Sequence, residues 1–304
     1  MSVTTAYHYT YTPEQVTAAF DTLSPTLFSA VTAETTPRML VTAGVQSSGK
    51  TYLLEKSLLP SGRYQNHVRL YLPQYREKHP QYEEMIKIGV LHAYEHTETF
   101  VRDLCQKIFE RAFKDKLNII LECAFDTIEF AALPEYAANA GYQLEVHVVA
   151  CNYPFAFISG VRRGLKSLEK GELERFVKPS VLKTSLGNAH AVLYTLEAAA
   201  KKVSGSQIFL YERGLGALQD RVLRAHSTYS LDSQNRLSMS STFTPYSYEA
   251  YQRIFSKSVN GESERNEMVR ESHLALSKAT QYATQVPDFL FNALYARIVR
   301  YVQR

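Results

Sequence analysis

The chain has 304 residues, 45% of them apolar and 21% charged, enough to bury a sizeable core as one large domain or one domain with an appendage. Its 34 Lys and Arg against 30 Asp and Glu give no strong nucleic-acid signal, while leaving room for a locally basic cleft or an anionic small molecule. Three cysteines, Cys105, Cys123 and Cys151, lack metal-ligand spacing and an even count, which speaks against a disulfide framework and for a reducing compartment.

Residues 1–12 carry no basic region followed by an apolar core, and no apolar run reaches the roughly 18 residues of a membrane span. The expectation is a cytoplasmic protein without a Sec signal or membrane segment, with export by a specialised secretion system left open. Thr12-Pro13-Glu14-Gln15 supplies a cap, a first-turn proline and a polar residue three after the cap, which predicts a helix over 13–23. Residues 38–43 read as a strand buried on both faces, and 67–72 as a second strand. Apolar spacing over 88–114 predicts one long helix or two abutting ones, followed by a strand over 117–122. A helix over 128–139 stops at Gly141, and 143–150 forms a fourth strand. Helices over 154–174 and 179–203 precede a fifth strand, 206–211.

Strands separated by helices of this length cannot be joined as hairpins. The predicted fold is therefore α/β, a parallel sheet with helices on both faces. Beyond Gly214 a short helix to about His226, a linker or small hairpin over 227–248 and helices over 262–282 and 288–302 complete the chain. The expected division is an N-terminal helix and linker (1–37), a sheet domain (38–213) and a mainly helical C-terminal appendage (214–304).

The stretch Gly44-Val45-Gln46-Ser47-Ser48-Gly49-Lys50-Thr51 lies between the first strand and a helix, the pattern of a phosphate-binding loop. Its glycines let backbone amides converge on phosphate oxygens; Lys50 reaches the β- and γ-phosphates, and Thr51 binds Mg²⁺. Such a loop serves kinases, GTPases and motor ATPases alike. No base-reading Asn-Lys-x-Asp element follows 143–150, and Glu122 stands alone where a motor shows paired acids. Arg162, Arg163 and Arg175 follow the fourth strand, either as a solvated basic helix face or as the guanidiniums that stabilise a transferring phosphoryl group. His92 and His96 share a helix face without an evident third ligand, and no Ser or Cys sits in a nucleophile elbow.

From about Met39 to Gly214 the chain resembles the zeta toxin family of P-loop kinases. The resemblance is carried by the loop, by Tyr75-Arg76-Glu77-Lys78-His79-Pro80-Gln81-Tyr82, by Leu121-Glu122, by Ala140-Gly141-Tyr142, by Arg163 and Arg175, and by Leu210-Tyr211-Glu212-Arg213-Gly214. It implies a P-loop kinase-like domain over 38–213 that uses ATP and Mg²⁺ to phosphorylate a nucleotide sugar such as UDP-N-acetylglucosamine, or a related nucleotide. It also implies a toxin or effector role with a cognate antitoxin or chaperone-like inhibitor. Gly44, Gln46, Ser47, Ser48, Gly49, Lys50 and Thr51 would hold the nucleotide with Arg163 and Arg175, and Glu122 would join Thr51 at the metal. The family's catalytic aspartate falls on Pro73, which can neither accept a proton nor bind metal. Three readings stay open: Glu122 or Asp126 supplies the base, the protein is an impaired nucleotide-binding pseudokinase acting through a partner, or the alignment over 70–76 is displaced.

Overall fold

In the computed structural model, which describes residues 8–172, 176–214, 221–234, 236–259 and 261–302, Arg38–Gly44 forms the central strand β1. Its apolar run explains the position: from Met39 to Gly44 every residue is buried. β1 lies parallel between β3 (Asn118–Ala124) and β4 (Gln143–Cys151), with Val41 opposite Leu121 and Val146. β2 (His67–Arg69) pairs parallel with the outer edge of β3, and β5 (Gln207–Arg213) parallel with β4. The full order is β2-β3-β1-β4-β5-β6-β7.

β6 (Arg221–Leu231) and β7 (Leu237–Ser240) correct two expectations. Both strands run antiparallel, so the sheet is mixed, and the short helix expected before His226 is replaced by strand from Arg221 onward. The burial of β6 alternates, with Ala225, Ser227 and Tyr229 inward, which is the period of a strand in a stretch whose interleaved Arg and His hid it. The small-hairpin reading of the following stretch holds in β6–β7.

α1 (Pro13–Phe28) has the expected capping box, Gln15 and Thr12 each bonding the other's backbone, and runs on through Pro25. Residues 50–61 continue from α2 (Lys50–Leu53) through a π turn and a 3-10 turn until Gly62 stops them. β2 is shorter than expected because Tyr71 takes φ of 60° and Pro73, lacking an N–H, opens the 3-10 turn Pro73–Lys78. Of the two readings of 88–114, two abutting helices hold, α4 (Val90–His96) and α5 (Glu98–Lys114), and a further short helix, α3 (Tyr82–Ile88), precedes them. Arg76 fastens the last break: buried, it donates to Tyr94 O and Thr97 Oγ1 at 3.0 Å and pairs with Glu98 at 2.6 Å.

α6 (Ala132–Asn139), α7 (Tyr153–Lys170) and α8 (Pro179–Ala200) follow the expected order, and the tail adds α9 (Tyr248–Phe255), which the sequence reading missed, α10 (Glu262–Gln281) and α11 (Asp288–Val302). Alternate β1 residues divide two clusters. Met39, Val41 and Ala43 join the main core, which extends without interruption to Tyr251, Met268, Leu290 and Leu294; Leu40 packs with Leu54, Tyr64 and Ile120 under residues 50–61. Among the described residues no helix is long and apolar enough to cross a membrane.

Candidate functional site

The loop 44–51 leaves the carboxyl end of β1 at the point where the strand order turns back on itself, where open α/β sheets place their ligands. Its backbone requires glycine twice. Gly44 has φ of 156°, and a Cβ there would stand 2.6 Å from Ser48 Oγ and 2.7 Å from Val149 O. Gly49 has φ of 97°, and its Cβ would meet Arg221 Nη2 at 2.5 Å. Ser47, between them, sits at φ of 61°, an uncommon conformation for a residue with a side chain. The hydroxyls of Ser47 and Ser48 are buried and have no hydrogen-bond partner. Lys50 is buried too, its Nζ donating to Val45 O at 3.4 Å. Burial pulls its pKa down, Glu122 and Asp126 draw it back up, and Arg163 adds to the depression.

Two carboxylates face this loop from β3 and the turn after it. Glu122 is not the last residue of its strand, which continues to Ala124; it stands opposite Thr42 of β1. Thr51 Oγ1 donates to Glu122 Oε2 at 2.7 Å, and Arg69 Nη2 donates to Glu122 Oε1 at 3.1 Å while its other terminal nitrogen reaches Glu55 at 2.5 Å. Asp126 accepts from Gln46 Nε2 on one oxygen and from Ser185 Oγ of α8 at 2.8 Å on the other. Asn188 steadies the turn by donating to Phe125 O and Asp126 O, both at 3.1 Å. Gln46 and Thr51 thus tie the two acids to opposite ends of one loop.

The arginines divide. Arg163 lies on the exposed side of α7, near enough to depress Lys50. Arg162 instead pairs with Glu271 of α10 at 2.7 Å and so belongs to the packing of the tail. Arg175 lies outside the described residues. Two further arginines hold the loop and were not singled out as site residues. Arg213, 4% exposed at the end of β5, donates to Ser47 O and to Ser159 Oγ of α7, each at 2.7 Å. Arg221, at the start of β6, donates to Gly49 O at 2.9 Å and lies 4.5 Å above the Tyr52 ring. Burial lowers both pKa values, that of Arg221 to about 10 with help from Arg213. The Tyr-Glu-Arg-Gly end of β5 was a visible signal for Arg213; only the antiparallel pairing of Arg213 with Arg221 brings the second into place.

Chemically, this is a pocket for an anion beside two acids. Orphaned hydroxyls, a buried amine and glycine-only turns fit a polyphosphate, and the Thr51 hydroxyl with the Glu122 carboxylate offers the hard oxygen donors that Mg²⁺ takes. Among the described residues no three His, Cys, Asp or Glu side chains converge as an all-protein metal cage. His92 and His96 sit with ring centroids 4.3 Å apart beside Tyr9, away from that arrangement. The three cysteines form no disulfide and are buried, their thiols pushed up to about 12 at Cys105 and Cys123 and about 11 at Cys151 by burial.

A family model described as Zeta toxin matches residues 26–225. Among solved structures, the chain is similar to one from the PezAT chromosomal toxin-antitoxin system of Streptococcus pneumoniae, with a TM-score of 0.61 and 14% identity over 90% of this chain and 98% of that one. It is also similar to a chain of the AvrRxo1-ORF1:-ORF2 complex with ATP, with a TM-score of 0.56 and 14% identity over 94% and 86% of the two chains. The native form of that complex gives 0.57 at 14% identity over 95% and 89%. At such identities these likenesses speak to the fold. No curated protein sequence matches the chain.

Proposed function

We propose, from the premise that this chain belongs to the zeta toxin family, that it is an ATP- and Mg²⁺-dependent kinase transferring phosphate to a hydroxyl of a nucleotide sugar or related nucleotide. The observation that carries the reading is the pair of buried, unpartnered hydroxyls on Ser47 and Ser48 beside the buried Lys50 amine. Burying unmatched polar groups is costly, and phosphate oxygens would satisfy all three. Bound at the loop, ATP with Mg²⁺ supplies the phosphoryl group and the divalent charge that offsets developing negative charge.

The side chains then divide the work. Lys50 holds phosphate oxygens, and the glycine turns at 44 and 49 keep the loop backbone close to them. Thr51 and Glu122 hold the cation, with Arg69 keeping the carboxylate aimed toward Thr51. Asp126 is the base that takes the acceptor's proton: Gln46 and Ser185 each donate to one of its oxygens and orient the carboxylate beside the loop. Arg163 lies on the exposed side of α7, and with Arg175 would close over the transferring group. UDP-N-acetylglucosamine heads the acceptor candidates, and a cognate antitoxin is the expected partner, in keeping with the toxin-antitoxin system and the two-component complex of the structural neighbours.

Pro73, in place of the family's aspartate, favours a second reading in which the chain binds nucleotide without efficient transfer. Incubation with ATP, Mg²⁺ and a panel of UDP-sugars and dinucleotides separates them: the kinase yields a phosphorylated acceptor, lost in Lys50→Ala. ATP binding with every acceptor unmodified supports the second reading instead.

A further inference from the structure

A cavity of about 320 Å³ opens at the carboxyl edge of the sheet where β4 passes into α7, under the ends of α9 and α11. Its volume is that of a small-ligand pocket, for which roughly 300 Å³ is the lower end. Lys257, Arg265 and Arg300 line it together with Asn152, Tyr153 and Tyr301, and among the described residues no carboxylate does. Glu212 at 3.8 Å from Lys257 Nζ offsets one of these charges from outside the lining; among the described residues no carboxylate pairs with Arg265 or Arg300.

The cavity also meets the N-terminus of α7, an 18-residue helix whose dipole presents its positive end there. Asn152 occupies the cap position but makes no side-chain cap bond. Its Nδ2 is drawn away to Lys257 O, and its Oδ1 is left without a hydrogen-bond partner although the residue is only 6% exposed. A buried acceptor with no donor is an unmet demand, and three cations with a helix N-terminus make a second, opposite one.

We propose that this cavity is a second ligand site, for a small phosphate ester that carries a neighbouring hydroxyl. The phosphate answers Arg265, Arg300 and the first turn of α7; the hydroxyl donates to Asn152 Oδ1; Tyr153 and Tyr301 flank the carbon skeleton. The site stands apart from the loop, so it stands or fails independently of the kinase reading.

The test is calorimetric titration of the full chain, without nucleotide, with glucose 6-phosphate as probe and methyl phosphate, which has no hydroxyl, as control. Saturable binding of glucose 6-phosphate to the wild type and equally to Lys50→Ala is expected, with methyl phosphate weaker by about tenfold. Arg265→Gln and Arg300→Gln, both side chains only partly buried or exposed, weaken it about tenfold each, and Asn152→Asp, which adds a like charge, abolishes it. Thermal unfolding of the two arginine variants verifies that they fold. Absence of saturable binding, binding lost in Lys50→Ala but kept in both arginine variants, or equal affinity for methyl phosphate would each overturn the proposal.

Discussion

Replacing Gly49 with alanine tests whether the loop's shape is imposed by its surroundings. Two costs add. A side chain at φ of 97° costs about 1–2 kcal/mol through the left-handed backbone alone. The new Cβ would also lie 2.5 Å from Arg221 Nη2, driving that guanidinium off Gly49 O and off Tyr52; losing one charge-assisted hydrogen bond costs about 1.5–3 kcal/mol. The sum is about 2.5–5 kcal/mol. Two other glycines isolate the contributions. Gly141 has φ of 87° with nothing within 4 Å of its Cβ, so Gly141→Ala carries the backbone cost only. Gly187, on the exposed side of α8 with nothing within 4 Å, has neither, and Gly187→Ala gains about 0.5–1 kcal/mol of helix propensity. Urea unfolding should therefore rank the variants 187, wild type, 141, 49 in falling stability, and calorimetry should show ATP affinity reduced at least tenfold in Gly49→Ala alone. A Gly49→Ala protein no less stable than Gly141→Ala, with ATP affinity intact, would refute the view that Arg221 and the left-handed turn shape the loop.

Arg213→Met should lower ATP affinity about tenfold by releasing Ser47 O, yet change stability by less than about 2 kcal/mol, because removing a buried charge offsets the two lost bonds; titration and urea unfolding together read both. Burial lowers His67 from 6.5 to about 4, so the folded chain binds fewer protons than the unfolded one between those values. Stability from this group is full above pH 6.5 and drains away as pH falls toward 4, amounting to about 2 kcal/mol between pH 7 and 5, and His67→Gln should flatten that slope in urea unfolding. Glu122→Gln should raise the Mg²⁺ concentration needed for half-maximal turnover, whereas Asp126→Asn should cut kcat about a hundredfold or more at unchanged Mg²⁺ dependence; unchanged turnover in both would remove them from the site. Leu290→Ala, fully buried in α11, should cost about 2–5 kcal/mol within a single unfolding transition if tail and sheet unfold together.

The parts of the site that could be read in the sequence were those written within one local segment. The loop was legible because its glycines, lysine and threonine must be adjacent to fold around phosphate, and β1 because burial on both faces demands an unbroken apolar run. Glu122 was legible through its place on β3. Arg221 was not: it reaches Gly49 only because β6 turns back along β5, and that hairpin is recorded in a two-residue alternation blurred by Arg, His and Ser. The bond from Gln46 to Asp126 likewise depends on the register of β1 against β3. For Arg162 the local setting left a solvated basic face and a phosphate clamp both open, because its partner, Glu271, lies far along the chain. The break at Thr97 is fastened by Arg76 bonding across the helix junction, a tertiary contact that the continuous apolar spacing of 88–114 does not encode, while the earlier one falls at Gly89, whose φ is 150°.

The most direct test follows the label of ATP carrying γ-³²P, with Mg²⁺ and UDP-N-acetylglucosamine or a dinucleotide, in a single turnover by the wild-type chain and by Lys50→Ala. The account predicts label on an acceptor hydroxyl with the wild type and none with Lys50→Ala. Label that remains on bound ATP, or passes only to water with every acceptor tried, would contradict it.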